Sequence, residues 1–191
     1  TGSNTIDSAA GSFTLTGVVS GNGGIVKAGT GTLTLSGVNT YVGGTTINAG
    51  TLAVTNNSSI STGGLTINGG TTFQAAANGL SFANLVTLNG LGTIDTQGNG
   101  LTLTGIISDG GISGTLVKIG SGNLNLQGAN TYSNGTNLNA GSITVFNNAS
   151  LGTGTLAMAD GTSLIAGANG LNLANAVTTA GVGTVDTGAN T

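Results

Sequence analysis

The chain of 191 residues is only 4% charged, with two lysines as its basic residues, five acidic residues and a net charge of −3. So few cations exclude a phosphate-binding surface and with it a nucleic-acid partner, and the apolar runs are too short for membrane insertion by this segment. Because cysteine and histidine are absent, disulfides, thiol chemistry and histidine-based metal or triad sites are excluded as well.

From its N-terminus the chain reads as a series of short β-strands separated by corners. Strands are predicted where aliphatic and β-branched residues alternate with polar ones, as in TLTL from Thr32, TTI from Thr45 and LTI from Leu65. Glycine and asparagine, which tolerate positive φ, recur between the strands in steps of 21, 20, 21 and 29 residues, beginning at Lys27 and Asn48. The absence of proline fits a chain in which nearly every stretch donates N–H groups to a ladder.

The second half of the chain repeats the first at an offset of 91 residues. KAGTGTLTLSGVNTYVGGTTINAGTLAV from Lys27 aligns without a gap on KIGSGNLNLQGANTYSNGTNLNAGSITV from Lys118, with 15 of 28 positions identical. We therefore predict a single segment over 1–191 made of two units, about 5–95 and 96–186, within a longer chain. An array of copies usually supplies length and surface instead of one asymmetric catalytic pocket.

The short strands and the cycle of about 20 residues suit neither a β-sandwich nor βαβ units. Stacking each cycle on the preceding one predicts an all-β fold, a right-handed parallel β-helix (β-solenoid) with rungs of about 20–22 residues. Eight cycles and a leading partial one give a rod of roughly 40 Å, with Leu33 and Leu124 at the same phase inside the core. The predicted core consists of the inward aliphatic and aromatic side chains of both units: Leu33, Leu35, Ile47, Leu52, Val54, Leu65, Ile67, Leu80 and Phe82, then Leu124, Leu126, Leu138, Ile143, Val145, Leu156, Met158, Leu171 and Leu173.

The two aligned segments resemble a known family. GIVKAGTGTLTLSGVNTYVGGTTINAGTLAV and GTLVKIGSGNLNLQGANTYSNGTNLNAGSITV are similar to the autotransporter-associated passenger repeat, whose pattern is K-x-G-x-G-x-L-x-L-x-G-x-N-T-Y-x-G-x-T followed by an N-A-G turn and an apolar strand. The matches cover about 60 of 191 residues. The resemblance implies a β-helical passenger on the surface of a Gram-negative bacterium, secreted by a type V route and anchored in the outer membrane through regions that lie outside this chain.

Three aspartates are the first candidate site residues. Asp7, Asp95 and Asp186 share one position of a [GN]-T-[IV]-D-[TS] motif and stand about four rungs apart, too far for a carboxylate pair. They would either bind one Ca²⁺ per unit or form Asx-type corners with their own backbone. The calcium-binding nonapeptide is absent, which favours the corner.

The lysines and tyrosines recur at the same 91-residue offset. Lys27 and Lys118 form no basic patch, so we expect each to close a corner by hydrogen-bonding carbonyls or by pairing with a nearby aspartate. Tyr41 and Tyr132 could stack on a sugar, but a tyrosine at a fixed phase is more often a packing anchor. We predict no catalytic, cofactor-binding or metal-binding residue and no cofactor.

Three functions fit these observations. The leading one is an extracellular structural and adhesive rod without catalysis, exposed at the bacterial cell surface. The second is the self-associating subunit of an extracellular filament, because open strand edges pair end to end. The third is a stalk that presents a distal enzymatic domain. The expected partners are other copies of the chain and glycans or proteins of a host or surface.

Overall fold

A computed structural model describes residues 2–188, which fold into 21 parallel strands and no helix. No helix long and apolar enough to cross a membrane is present among these residues. The strands, numbered in chain order, form three sheets. Sheet A contains β1 Ser3–Asp7, β3 Gly24–Ala28, β5 Thr45–Ile47, β7 Leu65–Asn68, β10 Val86–Asn89 and β13 Ile107–Asp109. Sheet B contains β2 Ser12–Leu15, β4 Thr32–Leu35, β6 Thr51–Val54, β8 Thr71–Ala75, β11 Leu91–Asp95, β14 Thr115–Ile119, β16 Thr136–Leu138, β18 Leu156–Ala159 and β20 Val177–Ala180. Sheet C contains β9 Leu80–Phe82, β12 Leu101–Leu103, β15 Asn123–Leu126, β17 Ser142–Val145, β19 Ser163–Ala166 and β21 Thr184–Asp186.

The sheets are the three sides of a solenoid. Each strand pairs in parallel with the strand one coil earlier or later, with register steps that range from 19 residues (Thr32 to Thr51) to 24 residues (Leu91 to Thr115). Where a side has no strand its segments still stack, since the Thr40 N–H donates to Val19 O of the preceding coil at 2.9 Å. The nine strands of sheet B at about 4.8 Å spacing give a rod of roughly 40 Å. The predicted parallel β-solenoid is confirmed.

The core is a thin column of inward side chains. Along β4 the residues alternate between half-buried threonine and fully buried leucine, as the period of two requires. Phe73 and Phe82 meet edge to face at the centre of the column, with ring centroids 5.6 Å apart. Sixteen of the eighteen predicted core residues are buried, and the exceptions are Leu171 and Leu173.

Leu171 and Leu173 are less buried than predicted. Both pack against the core but stay half-buried, and residues 171–176 form no strand. Their equivalents Leu80 and Phe82 in β9 are covered by β12 of the next coil. No described strand covers Leu171 and Leu173 in that way.

Two glycines explain the K-x-G-x-G corner of the repeat. Gly29 and Gly120 have φ of 76° and 81°, which residues with a Cβ rarely adopt. Two residues later the coils approach so closely that a Cβ on Gly122 would lie 1.9 Å from Asn99 O. The corner therefore requires glycine for both reasons.

The sequence repeat and the coil do not share one period. Four register steps lead from Ile25 to Ile107 within sheet A, whereas the residue 91 positions after Ile25 is Leu116, in sheet B. One repeat is thus four coils plus one side of the solenoid, and equivalent residues are rotated by about one third of a turn. The 29-residue step from Asn89 to Lys118, predicted to be one coil, comprises one coil and one additional side of the solenoid. Leu33 and Leu124 are both fully buried, but they lie in sheets B and C and not at one phase.

Candidate functional sites

Both lysines lie inside the corners of the solenoid and are fully buried. The Lys118 ammonium donates three hydrogen bonds, to Ile119 O at 3.0 Å, Gly120 O at 2.8 Å and Ala140 O of the next coil at 3.0 Å. Lys27 repeats this arrangement. The predicted carbonyl-bonded corner is confirmed.

Burial and a neighbouring carboxylate act oppositely on these lysines. Burial lowers the pKa of Lys118 to about 8, and the attraction of Asp95 opposes this change. Burial also lowers the pKa of Lys27, against the attraction of Asp7. The lysines are structural cations inside the rod and offer no charge to a ligand.

The three motif aspartates bond to their own backbone. Asp7 Oδ1 accepts the N–H of Ala9, and Asp95 Oδ1 accepts that of Gln97, each at 2.7 Å. Asp186 Oδ1 accepts the N–H two residues later at the same distance. In each case the donor residue has positive φ. The predicted Asx-type corner is confirmed, and among residues 2–188 no group of three or more His, Cys, Asp or Glu side chains could hold a metal ion.

The N-T-Y motif joins three consecutive coils. Asn39 Oδ1 accepts the Val19 N–H of the preceding coil at 2.8 Å, and its Nδ2 donates to Ser59 O of the following coil at 2.6 Å. Tyr41 is buried, and its hydroxyl shares a 2.6 Å hydrogen bond with Thr45 Oγ1. Burial raises the pKa of Tyr41 to about 12, although the bond to Thr45 opposes the rise.

The second unit reproduces this geometry. Asn130 bonds to Ile107 N and Ser150 O, and Tyr132 bonds to Thr136. Burial likewise raises the pKa of Tyr132. The tyrosines are the predicted packing anchors and do not face solvent.

Sequence reasoning missed a further pair of hydrogen-bonded links between coils, which we call staples. One is centred on Asn56 and Ser59, and the other on Asn147 and Ser150. Ser59 Oγ accepts the N–H of Asn56 at 3.1 Å and donates to Leu35 O of the preceding coil at 2.8 Å. Ser150 forms the same bonds with its own coils. The signal was present in the sequence, because N-N-x-S recurs at the 91-residue offset.

The remaining aspartates hold loops and coils together. Asp109 closes a loop that is three residues longer than its counterpart in the first unit, accepting the N–H of Gly114 at 2.6 Å and of Ser133 at 3.0 Å. Burial alone would raise the pKa of Asp109, but these bonds and one from the Ser133 hydroxyl leave it lowered. Asp160 accepts the Val182 N–H of the next coil at 2.7 Å.

The comparison with known families matches the geometry. The model of the passenger-associated-transport-repeat matches residues 25–54 and 116–145, the segments that contain the lysine corner, the N-T-Y staple and the N-A-G turn. The two matched segments, together about 60 of the 191 residues, are similar to this repeat and are consistent with a passenger segment of an autotransporter. No curated protein and no solved structure matches the chain.

Each matched segment therefore forms a set of hydrogen-bonded links inside the solenoid. Its lysine, asparagine and tyrosine side chains direct their hydrogen bonds to neighbouring coils or into the core. A motif whose polar groups are used in this way specifies the architecture of the solenoid.

Proposed function

We propose that this chain is a non-catalytic rod within an autotransporter passenger, exposed outside a Gram-negative bacterium. There it holds distal parts of the passenger away from the cell and adheres to surfaces. The observation that supports this best is the match of two segments to the passenger-associated-transport-repeat. The polar motif residues of these segments form hydrogen bonds between stacked coils. A rod of roughly 40 Å also fits a stalk that holds a distal domain away from the membrane.

The composition of the outer surface supports a role in contact instead of catalysis. The two lysines are buried, and the aspartates of the described residues bond to backbone N–H groups. The outer surface is consequently almost free of formal positive charge, and its polar groups are amides and hydroxyls. Such a surface has little long-range steering of charged partners.

The proposal is tested by displaying the chain on the surface of bacterial cells. The chain is placed between a signal sequence and an autotransporter barrel in a bacterium that lacks its own adhesins, beside a flexible Gly/Ser linker of equal length as control. We expect antibody labelling of intact cells and greater attachment to surfaces with the rod than with the linker. Absence of surface labelling, or attachment equal to that of the linker, contradicts the proposal.

A second candidate is the filament subunit, in which one copy of the 191-residue segment stacks its apolar side chains on those of another copy. Inside the chain, Leu101 and Leu103 of β12 stack on Leu80 and Phe82 of β9. Their sequence equivalents at the two ends are Phe13, which is 47% exposed, together with Leu15 of β2, and the half-buried Leu171 and Leu173. Leu171 and Leu173 line an apolar cavity of about 220 Å³ with Val185.

We infer that Phe13 of a second copy can pack on this end as Leu101 packs on Leu80. The contact joins two different surfaces and does not close on itself, so repetition gives an open filament. Sedimentation velocity of the 191-residue protein at increasing concentration should show association that Phe13→Asp abolishes. Val38→Asp, at a similarly exposed position on the side of the rod, should leave it unchanged. A monomer at all concentrations contradicts the filament.

A further inference from the structure

Two equivalent grooves lie on the surface of the rod, one in each 91-residue unit. The first is lined by Asn57, Thr62, Ala83 and Asn84, and the second by the residues 91 positions later. Each has a volume of about 260 Å³ and no ionisable side chain in its lining. Equivalent cavities with matching walls in both repeats indicate a shape that the fold maintains.

One wall of each groove presents a fixed hydrogen-bond acceptor. The Asn84 side chain is buried, with 8% of its surface exposed. Its Nδ2 donates to Ser61 O at 3.0 Å and to Gly63 O at 2.6 Å. Asn175 Nδ2 makes the same pair of bonds to Gly152 O and Gly154 O. These bonds fix the amide plane. Asn84 Oδ1 accepts no hydrogen bond from residues 2–188. Because no buried side-chain polar atom among these residues lacks a partner, this oxygen is accessible to solvent. It is an oriented acceptor that remains open to a ligand.

Other residues of the lining present donors. Asn57 Oδ1 accepts the Ser81 N–H at 2.9 Å, and Asn148 Oδ1 accepts the Asn172 N–H at 2.8 Å. The Nδ2 groups of these exposed asparagines make no bond to residues 2–188. The exposed hydroxyl of Thr62, repeated by Thr153, lies beside them.

The backbone keeps this shape even where the side chain changes. Ser61 has φ of 51°, a conformation uncommon for a residue with a Cβ, and Gly152 has φ of 63° at the equivalent position. Ser61 Oγ donates to Tyr41 O, which anchors the turn to the buried tyrosine segment. The first repeat thus holds serine in a conformation for which the second uses glycine.

We propose that the two grooves are equivalent binding sites for neutral, hydroxyl-rich glycan chains. A sugar hydroxyl both donates and accepts, so it can bridge the open acceptor of Asn84 and the open donors of Asn57, and no charge in the lining selects an ionic ligand. A peptide fits less well, because the lining contains no charged and no large apolar side chain that would hold its side chains. The inference deepens the adhesive role proposed above and rests on it for the extracellular location.

The spacing of the grooves determines how they act together. They lie four coils and one side apart, which is about 20 Å along the axis with a rotation of one third of a turn. Without an aromatic platform or a charge, a single groove should bind with a Kd on the order of millimolar. Because the grooves face different sides, they would engage separate chains of a glycan layer, and avidity would come from that layer and not from one short oligosaccharide.

The test is a two-dimensional amide NMR titration of the 191-residue protein. The probes are neutral oligosaccharides of α- and β-linked glucose, mannose, galactose and N-acetylglucosamine, at up to about 10 mM, above the expected millimolar Kd. We expect at least one probe to shift the amides of 57–62 and 81–84 together with those of 148–153 and 172–175.

Matched variants locate the binding. Ala83→Phe and Ala174→Phe fill one groove each from exposed positions and should weaken binding at least tenfold in that groove alone, whereas the exposed Ala76→Phe outside the grooves should change nothing. Asn57→Asp retains the acceptor for Ser81 but removes the free donors, so it should weaken the first groove only.

Three outcomes overturn the inference: no groove shifts with any probe, shifts elsewhere that the filled grooves do not alter, or groove shifts with a mixed peptide pool alone. The cell-surface role is judged separately by display. Silent grooves on a chain that still reaches the surface and attaches contradict this inference only. Groove binding by a chain that never reaches the surface contradicts the proposed function instead.

Discussion

Replacing Lys118 by methionine tests whether the buried ammonium holds the corner together. Of its three carbonyl partners, Ile119 O also accepts the N–H and the hydroxyl of Thr96, at 3.1 and 3.2 Å. Among residues 2–188, Gly120 O and Ala140 O have only the lysine as partner. Leaving two partly buried carbonyls unpaired costs up to about 1–3 kcal/mol each. Relief from burying a charge offsets part of this cost, so we expect a net loss of about 3 kcal/mol.

The free energy of unfolding is measured by urea denaturation followed by far-UV circular dichroism. Val117→Thr, at an outward position of the same strand, is the control and should change stability by less than about 0.5 kcal/mol. Lys27→Met should match Lys118→Met, and the two losses should add because the sites lie about 20 Å apart. If Lys118→Met is as stable as the control or more stable, the ammonium does not staple the coils and the reasoning fails.

Four further predictions follow from the same contacts. Burial lowers the pKa of Lys118 to about 8, so above that pH the unfolded chain binds more protons than the folded one and stability should rise towards pH 10. Above pH 10 stability should fall, since burial raises the pKa of Tyr41 to about 12. Urea midpoints that decline between pH 8 and 10 would contradict the first sign, and midpoints that keep rising above pH 10 would contradict the second. Leu126→Ala should cost about 2–5 kcal/mol through a cavity in the core, by thermal or urea unfolding. Asp95→Asn should cost little because asparagine can also accept the Gln97 N–H, and EDTA should leave the melting temperature unchanged; a Ca²⁺-reversible drop of several degrees would instead make the motif aspartates ligands. Trypsin, which cleaves after lysine and arginine, should cut the chain only when it unfolds, so cleavage of the native protein faster than global unfolding would contradict burial of both lysines.

The local structure was readable from the sequence because short-range chemistry determines it. Alternation in TLTL places Leu33 and Leu35 inside, and Asp95 makes its corner bond two residues away. These inferences require only the period of a strand and the reach of an aspartate side chain. They hold in both repeats for that reason.

The relation between repeat and coil could not be read in this way. The 29-residue step from Asn89 to Lys118 was assigned to one coil because both ends are corners, although the chain passes an additional side between them. Which corner stacks on which depends on contacts about 20 residues apart, such as Asn68 Nδ2 with Asn48 Oδ1. The grooves were missed for the same reason, since each joins residues of two coils.

The rotation of one side per repeat determines how the rod meets its surroundings. The strands that carry the aspartate motif, β1, β11 and β21, lie in sheets A, B and C in turn. The loop closed by Asp109 adds three residues to the second unit without disturbing this order, because residues 110–113 of the loop are exposed while β11 and β14 remain paired. A repeat of exactly four coils would place all equivalent groups on one face and suit a flat lattice. Four coils and one side distribute them around the axis, so a third repeat would return the same groups to sheet A. A rod of this kind offers each surface feature in all directions, which fits the proposed contact with a disordered glycan layer better than it fits docking on an ordered plane.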